Sequence, residues 1–202
     1  MFYDTAKNNH NLPYNPFKSC IVPRPMGWIS SISENGVTNL APYSYFNAVA
    51  DIPPMVMFAS GFNGDGSQKD TIRNIEITEE FVVNIATFKT IEAMSLSSAS
   101  LPYEESEINA FQIQTIPSLT VRPPRIKESP INLECRYIKT VNLNLDEYKA
   151  SSQIVIGHVV GIHIADELLV NGKIDITKLE PLARLGYNEY AVIREILLIK
   201  KI

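Results

Sequence analysis

The chain has 202 residues, 45% of them hydrophobic and 20% charged, with a net charge of −4. This balance suits a single globular domain, expected over residues 1–202, and carries no basic footprint for nucleic acid. The longest apolar runs, such as residues 54–59, fall far short of the ~20 residues of a membrane-spanning helix, so no membrane partner is expected.

In chain order, the polar N-terminus lacks the apolar core of a signal peptide. Four prolines between Pro13 and Pro25 make an extended lead-in to the first strand. That strand begins in Arg24-Pro25-Met26-Gly27-Trp28-Ile29-Ser30-Ser31. Ser33-Glu34-Asn35-Gly36 follows and predicts a tight hairpin turn, because Asn and Gly tolerate positive φ. Asn39-Leu40-Ala41-Pro42-Tyr43-Ser44-Tyr45-Phe46-Asn47 would then be the next antiparallel strand. Ser30 and Ser31 on one strand and Ser44 and Asn47 on its neighbour, with Trp28 and Tyr45 beside them, suit a ligand with a flat ring and a polar tail.

Residues 55–60 read as a short buried strand after Pro53-Pro54. Ser67-Gln68-Lys69-Asp70 has capping-box spacing and opens a helix whose apolar face starts with Ile72 and Ile75. Residues 81–86 form another strand by their β-branched content, and residues 91–97 a second helix. Residues 102–130 are rich in turns and proline and are expected to wrap the surface. Within them Glu104, Glu105 and Glu107 read as a solvated acidic turn. Residues 131–141 and 153–164 are strands. Many strands with only two helices argue for a closed or partly closed antiparallel barrel over a doubly wound sheet.

Three features carry chemistry. The loop Ser60-Gly61-Phe62-Asn63-Gly64-Asp65-Gly66-Ser67 has three glycines and leads into a helix N-terminus, with Lys69 and Thr71 in the first turn. It reads either as a phosphate site or as a flexible loop before a capped helix. It is not a P-loop, since Ser67 stands where the lysine should be. His158 and His163 lie five apart on one strand and so should point to opposite faces, which argues against a metal site. Each is either an ordinary histidine or a ligand neighbour. Cys20 and Cys135 lack CxxC spacing and read as reduced, small buried hydrophobes of a cytoplasmic protein.

The order of these pieces closely resembles the flavin reductase-like family of FMN-binding split barrels. The resemblance rests on both opening motifs and on Lys69-Asp70-Thr71-Ile72-Arg73-Asn74-Ile75. Glu79-Glu80-Phe81-Val82-Val83-Asn84, Ser129-Pro130 with Leu133-Glu134-Cys135, and Leu182-Ala183-Arg184-Leu185-Gly186 with Tyr190 extend it along the chain. It implies a six-stranded antiparallel Greek-key split barrel acting as a homodimer, with FMN near the subunit interface. It also implies that Trp28, Ser30 and Ser31 line the flavin from one strand, that Ser44, Tyr45 and Asn47 contact the ring from the next, and that Lys69, Asp70 and Thr71 hold the phosphate. His163 would stand near the cofactor or substrate, and Arg24 is a further candidate. His158 replaces an acid that this branch usually carries. The implied activity is NAD(P)H-dependent flavin reduction, with NADH or NADPH as small-molecule donor and a small-molecule acceptor. No catalytic side chain is required, because the flavin carries the chemistry. The alternatives are an FMN-binding electron carrier reduced by a partner protein and a split barrel holding haem or another ring system.

Overall fold

The computed structural model describes residues 1–143 and 152–200. Seven strands form its main sheet: β1 (Gly27–Ile32), β2 (Thr38–Tyr43), β3 (Phe46–Asp51), β4 (Pro54–Gly61), β5 (Glu80–Ile85), β6 (Ile131–Leu143) and β7 (Ser152–Ile164). They pair antiparallel in the order β2-β1-β5-β6-β7-β4-β3. The two outermost strands are consecutive in the chain and separated only by Ser44 and Tyr45, so the sheet must curl until its ends meet. Where the chain enters β3, the Ala59 amide of β4 donates to Tyr45 O at 2.7 Å and extends the β3–β4 pairing. The antiparallel split-barrel class is as expected. The seventh strand arises because the run from Asn39 to Asn47 breaks at Ser44-Tyr45, where the chain passes from one end of the sheet to the other.

The hairpin between β1 and β2 is closed by the Gly36 amide donating to Ser33 O, with Gly36 alone in the left-handed region at φ +84°. Helix α1 (Asp70–Thr78) directs Ile72 and Ile75 into the barrel, where they meet Ile29, Tyr43, Phe46, Phe58, Phe81, Cys135 and Val155. Phe58 bridges Tyr43 and Phe81, with ring centroids 4.7 and 5.9 Å away. Burial of these apolar and aromatic side chains holds the barrel together.

The other face of β1 and β2 is also covered. Trp28 and Leu40 pack with Met94 of α2 (Ile91–Leu96), Ile108, Ile126 and Leu182. Residues 102–130 do wrap the barrel, as expected, but they bury Ile108, Val121 and Ile126 in doing so. Asn84 ties them down: its Oδ1 accepts from the Ile126 amide at 2.9 Å and from Asn132 Nδ2 at 2.8 Å. A small sheet of Arg24–Pro25, Leu182–Arg184 and Tyr190–Val192 sits beside the barrel.

The histidine parity is corrected by the register. His158 pairs with Arg136 and His163 with Asn132, positions four apart on β6 and therefore on one face. An irregularity between Val159 and Gly161 inserts one residue in β7, and one extra residue exchanges the faces of everything beyond it. The cysteines also differ from each other: Cys135 is buried, but Cys20 is exposed. Among the described residues no helix is long and apolar enough to cross a membrane.

Candidate functional site

A cavity of about 720 Å³ opens where the barrel seam, the loop after β4, the start of α1 and residues 97–101 converge. Ser44, Tyr45, Lys69, Asp70 and Thr71 all line it. Pro42, Tyr43 and Tyr45 contribute flat surface, whereas Ser60, Ser98, Ser100 and Asn63 contribute hydroxyl and amide groups.

Lys69 occupies the N-cap of α1 in extended conformation (φ −63°, ψ 139°) and donates no side-chain cap. The capping box expected at Ser67 does not form. Its hydroxyl and amide both donate to Asp65 Oδ1, at 2.6 and 2.9 Å, because the glycine-rich loop turns back on itself before the helix begins. The first helical bonds run from the Ile72 and Arg73 amides to Lys69 O, each at 3.0 Å. Among the described residues the Asp70 and Thr71 amides have no acceptor, as expected for the first positions of an uncapped helix. Two free N–H groups, a helix N-terminus and an ammonium converge on one wall, an arrangement that favours an anion. The loop glycines contribute less than expected: Gly66, at φ +83°, spends its amide on Asn63 O. The Thr71 hydroxyl is also committed, donating to Asn39 Oδ1 at 2.8 Å.

Three ionisable groups in this wall are perturbed. Burial raises the Asp70 carboxyl, with Arg73 and Lys69 opposing. Burial pushes the Tyr43 phenol up to about 12. Burial also raises Glu107, against hydrogen bonds that favour its ionised form. Glu107 corrects the solvated-turn reading. It is only 6% exposed, and its Oε2 accepts from the Leu40 amide at 2.9 Å and from Asn39 Nδ2 at 3.0 Å. Nothing in an acid-rich turn distinguishes Glu107 from Glu104 and Glu105; only its tertiary contact with β2 does.

The remaining expected site residues lie outside this cavity. Trp28, Ser30 and Ser31 are fully buried. Trp28 Nε1 donates to Ser97 Oγ at 2.8 Å, Ser30 Oγ donates to Pro124 O at 2.6 Å, and Ser31 Oγ accepts from Asn74 Nδ2 at 3.3 Å. Both faces of β1 are covered, and each of these buried polar groups has an internal hydrogen-bond partner, as burial requires. Asn47 is exposed on β3, its Oδ1 accepting from the Ala48 amide. His163 lines a different cavity, and its Nε2 lies 2.5 Å from Glu134 Oε1. Arg24 is buried beside a second cavity that adjoins the first.

Fold and site together define an antiparallel split barrel with an anion seat and a flat-walled cleft at its seam. Residues 19–180 match the flavin reductase like domain, and the chain belongs to that family. A protein of Halalkalibacterium halodurans is 36% identical over 177 residues, 88% of this chain and 85% of that one. Nitrilotriacetate monooxygenase component B from Bacillus cereus superposes with a TM-score of 0.90 at 33% identity, covering 98% of both chains. Pseudomonas fluorescens 2-nitrobenzoate 2-nitroreductase superposes with a TM-score of 0.84 at 27% identity, covering 100% of this chain and 96% of its own.

Proposed function

We propose that the protein binds FMN in the seam cavity and works as an NAD(P)H-dependent flavin oxidoreductase. The observation that carries this reading is the start of α1, where Lys69 and the free amides of Asp70 and Thr71 face a cavity with flat walls. These residues fit one phosphate. The serines and Asn63 suit a polyhydroxyl tail, and Pro42 and Tyr45 offer surface to a ring. When bound, the flavin would supply the redox chemistry, accepting hydride from a reduced nicotinamide and yielding electrons to an acceptor. The chain's own part is to hold the phosphate, orient the ring and leave one ring face accessible. Family membership and the names of both structural neighbours support an oxidoreductase.

The test is a visible spectrum of the protein with FMN, before and after anaerobic NADH or NADPH. A bound-flavin spectrum that bleaches with either nucleotide is expected. A bound flavin that stays oxidised with both would make the protein a carrier reduced by a partner. In Lys69→Ala, FMN should bind more weakly by about 1.5–3 kcal/mol, the scale of a charge-assisted hydrogen bond, while riboflavin is unaffected. Equal losses for both would place the phosphate elsewhere.

A further inference from the structure

The second cavity, of about 730 Å³, shares Pro42, Ser44 and Ser98 with the first. It forms where the N-terminal segment around Tyr14 and Lys18 folds against the small three-stranded sheet. Its lining contains three cations, Lys18, Arg24 and Arg184, and no carboxylate, in a chain whose net charge is −4. Arg24 and Arg184 are directly opposed on an antiparallel pair. Like charges in that position are destabilising unless something compensates them. Among the described residues neither arginine has a carboxylate partner.

Arg24 is only 6% exposed, and its Nε has no hydrogen-bond partner among the described residues. Its other two nitrogens donate to the carbonyls of Lys18, Ile21 and Leu185, which fixes the guanidinium in place. Aromatic surface lies alongside. The Arg184 guanidinium stands 4.4 Å from the Tyr190 ring centroid, and Tyr14 meets Tyr187 edge-on at 5.6 Å.

We infer that this cavity binds a small planar aromatic anion, with the cations taking its carboxylate or phosphate and the tyrosines taking its ring. Its continuity with the seam cavity makes the occupant the molecule that exchanges electrons with the flavin. That last clause rests on the flavin reading; the anion site itself does not. An aromatic carboxylate acceptor and a phosphorylated nucleotide donor share this chemistry.

Calorimetric titration of the full chain without flavin tests the site, using benzoate, its neutral analogue benzamide, and adenosine 2′,5′-bisphosphate. At least one of the two anions should bind roughly tenfold or more tighter than benzamide. Preference for benzoate assigns the cavity to an acceptor, and preference for the bisphosphate assigns it to a donor. Arg184→Gln should abolish the preference and Lys18→Gln should reduce it, while FMN affinity stays within about twofold in both. Lys18 lies outside the small sheet, so its variant serves if Arg184→Gln misfolds. Equal binding of anions and benzamide, or anion binding unmoved by both substitutions, would overturn the site. FAD binding tenfold tighter than FMN would also overturn it, by showing one dinucleotide spanning both cavities. Loss of FMN binding with anion binding intact would instead sink only the flavin reading.

Discussion

Lys69 and Asp70 set opposite charges at the same end of α1. The acid suits the helix dipole, but it stands where the proposed phosphate would sit, and its carboxyl is already raised by burial. Asp70→Asn should therefore tighten FMN by roughly fivefold, about 1 kcal/mol of relieved repulsion, at a helix cost of about 0.3–1 kcal/mol. Flavin fluorescence titration and urea melts would measure the two effects separately; weaker FMN binding would show that Asp70 holds the ligand. Glu134 titrates differently. Burial by itself would raise its carboxyl, but donation from Thr120, the Leu119 amide and His163 outweighs burial and holds it at about 2, below its ordinary 4.5. Between those values the unfolded chain binds more protons, so stability rises with pH. The contribution is complete above the ordinary value and lost as pH falls through about 2. Urea melts of wild type and Glu134→Gln should differ most at neutral pH and converge toward pH 2; a constant difference would refute an ionised, hydrogen-bonded Glu134 carboxylate.

At the scale of elements, β7 carries two departures from regular pairing. Gly157 lies at the first, where any side chain would run into the Phe81 ring that packs across the barrel. Gly157→Ala should cost about 1–3 kcal/mol from overpacking, seen as a lower denaturation midpoint with an unchanged FMN affinity per folded molecule. A neutral outcome would mean that Phe81 has room to move. The second departure, between Val159 and Gly161, sets His163 on the face where Glu134 is covered by Leu119 and Thr120. Both strand histidines therefore point away from the barrel interior, and His163→Ala is expected to act on the stability of the covering loop before it acts on flavin affinity.

At the scale of the whole molecule, the C-terminal run Ile196, Leu197, Leu198 and Ile199 is exposed, three of its members by more than 85%. Four consecutive exposed apolar side chains are unusual on a monomer surface. We propose that a second copy of the chain covers them, which agrees with the homodimer implied by the family resemblance. Ile52, 93% exposed beyond the edge strand β3, is a second such position. Sedimentation should give a dimer for the full chain, and Leu197→Glu with Leu198→Glu should shift it toward monomer. A wild-type monomer that binds FMN at full affinity would refute the dimer as the functional unit.

Much was legible in local chemistry. The Asn35-Gly36 turn, the strands around Val56, Val83, Leu133 and Val155, the helix beginning after Ser67 and the barrel class follow from period, turn residues and propensity, which act over a few neighbours. Lys69, Asp70, Thr71, Ser44 and Tyr45 do line one cavity, the first three at a helix start that the chain announces and the last two at a strand break that it does not. What needed tertiary structure was every question of which face is covered. That Ser30 and Ser31 are fully buried and hydrogen-bonded inside the protein shows only once both sides of β1 are packed. Glu107 looks solvated until it meets Asn39. Arg24 and Arg184 become neighbours only when strands 160 residues apart in sequence pair side by side. A single inserted residue near Val160 exchanges the faces of β7. Burial and register depend on contacts between distant segments, and those contacts exist only once the sheet has closed.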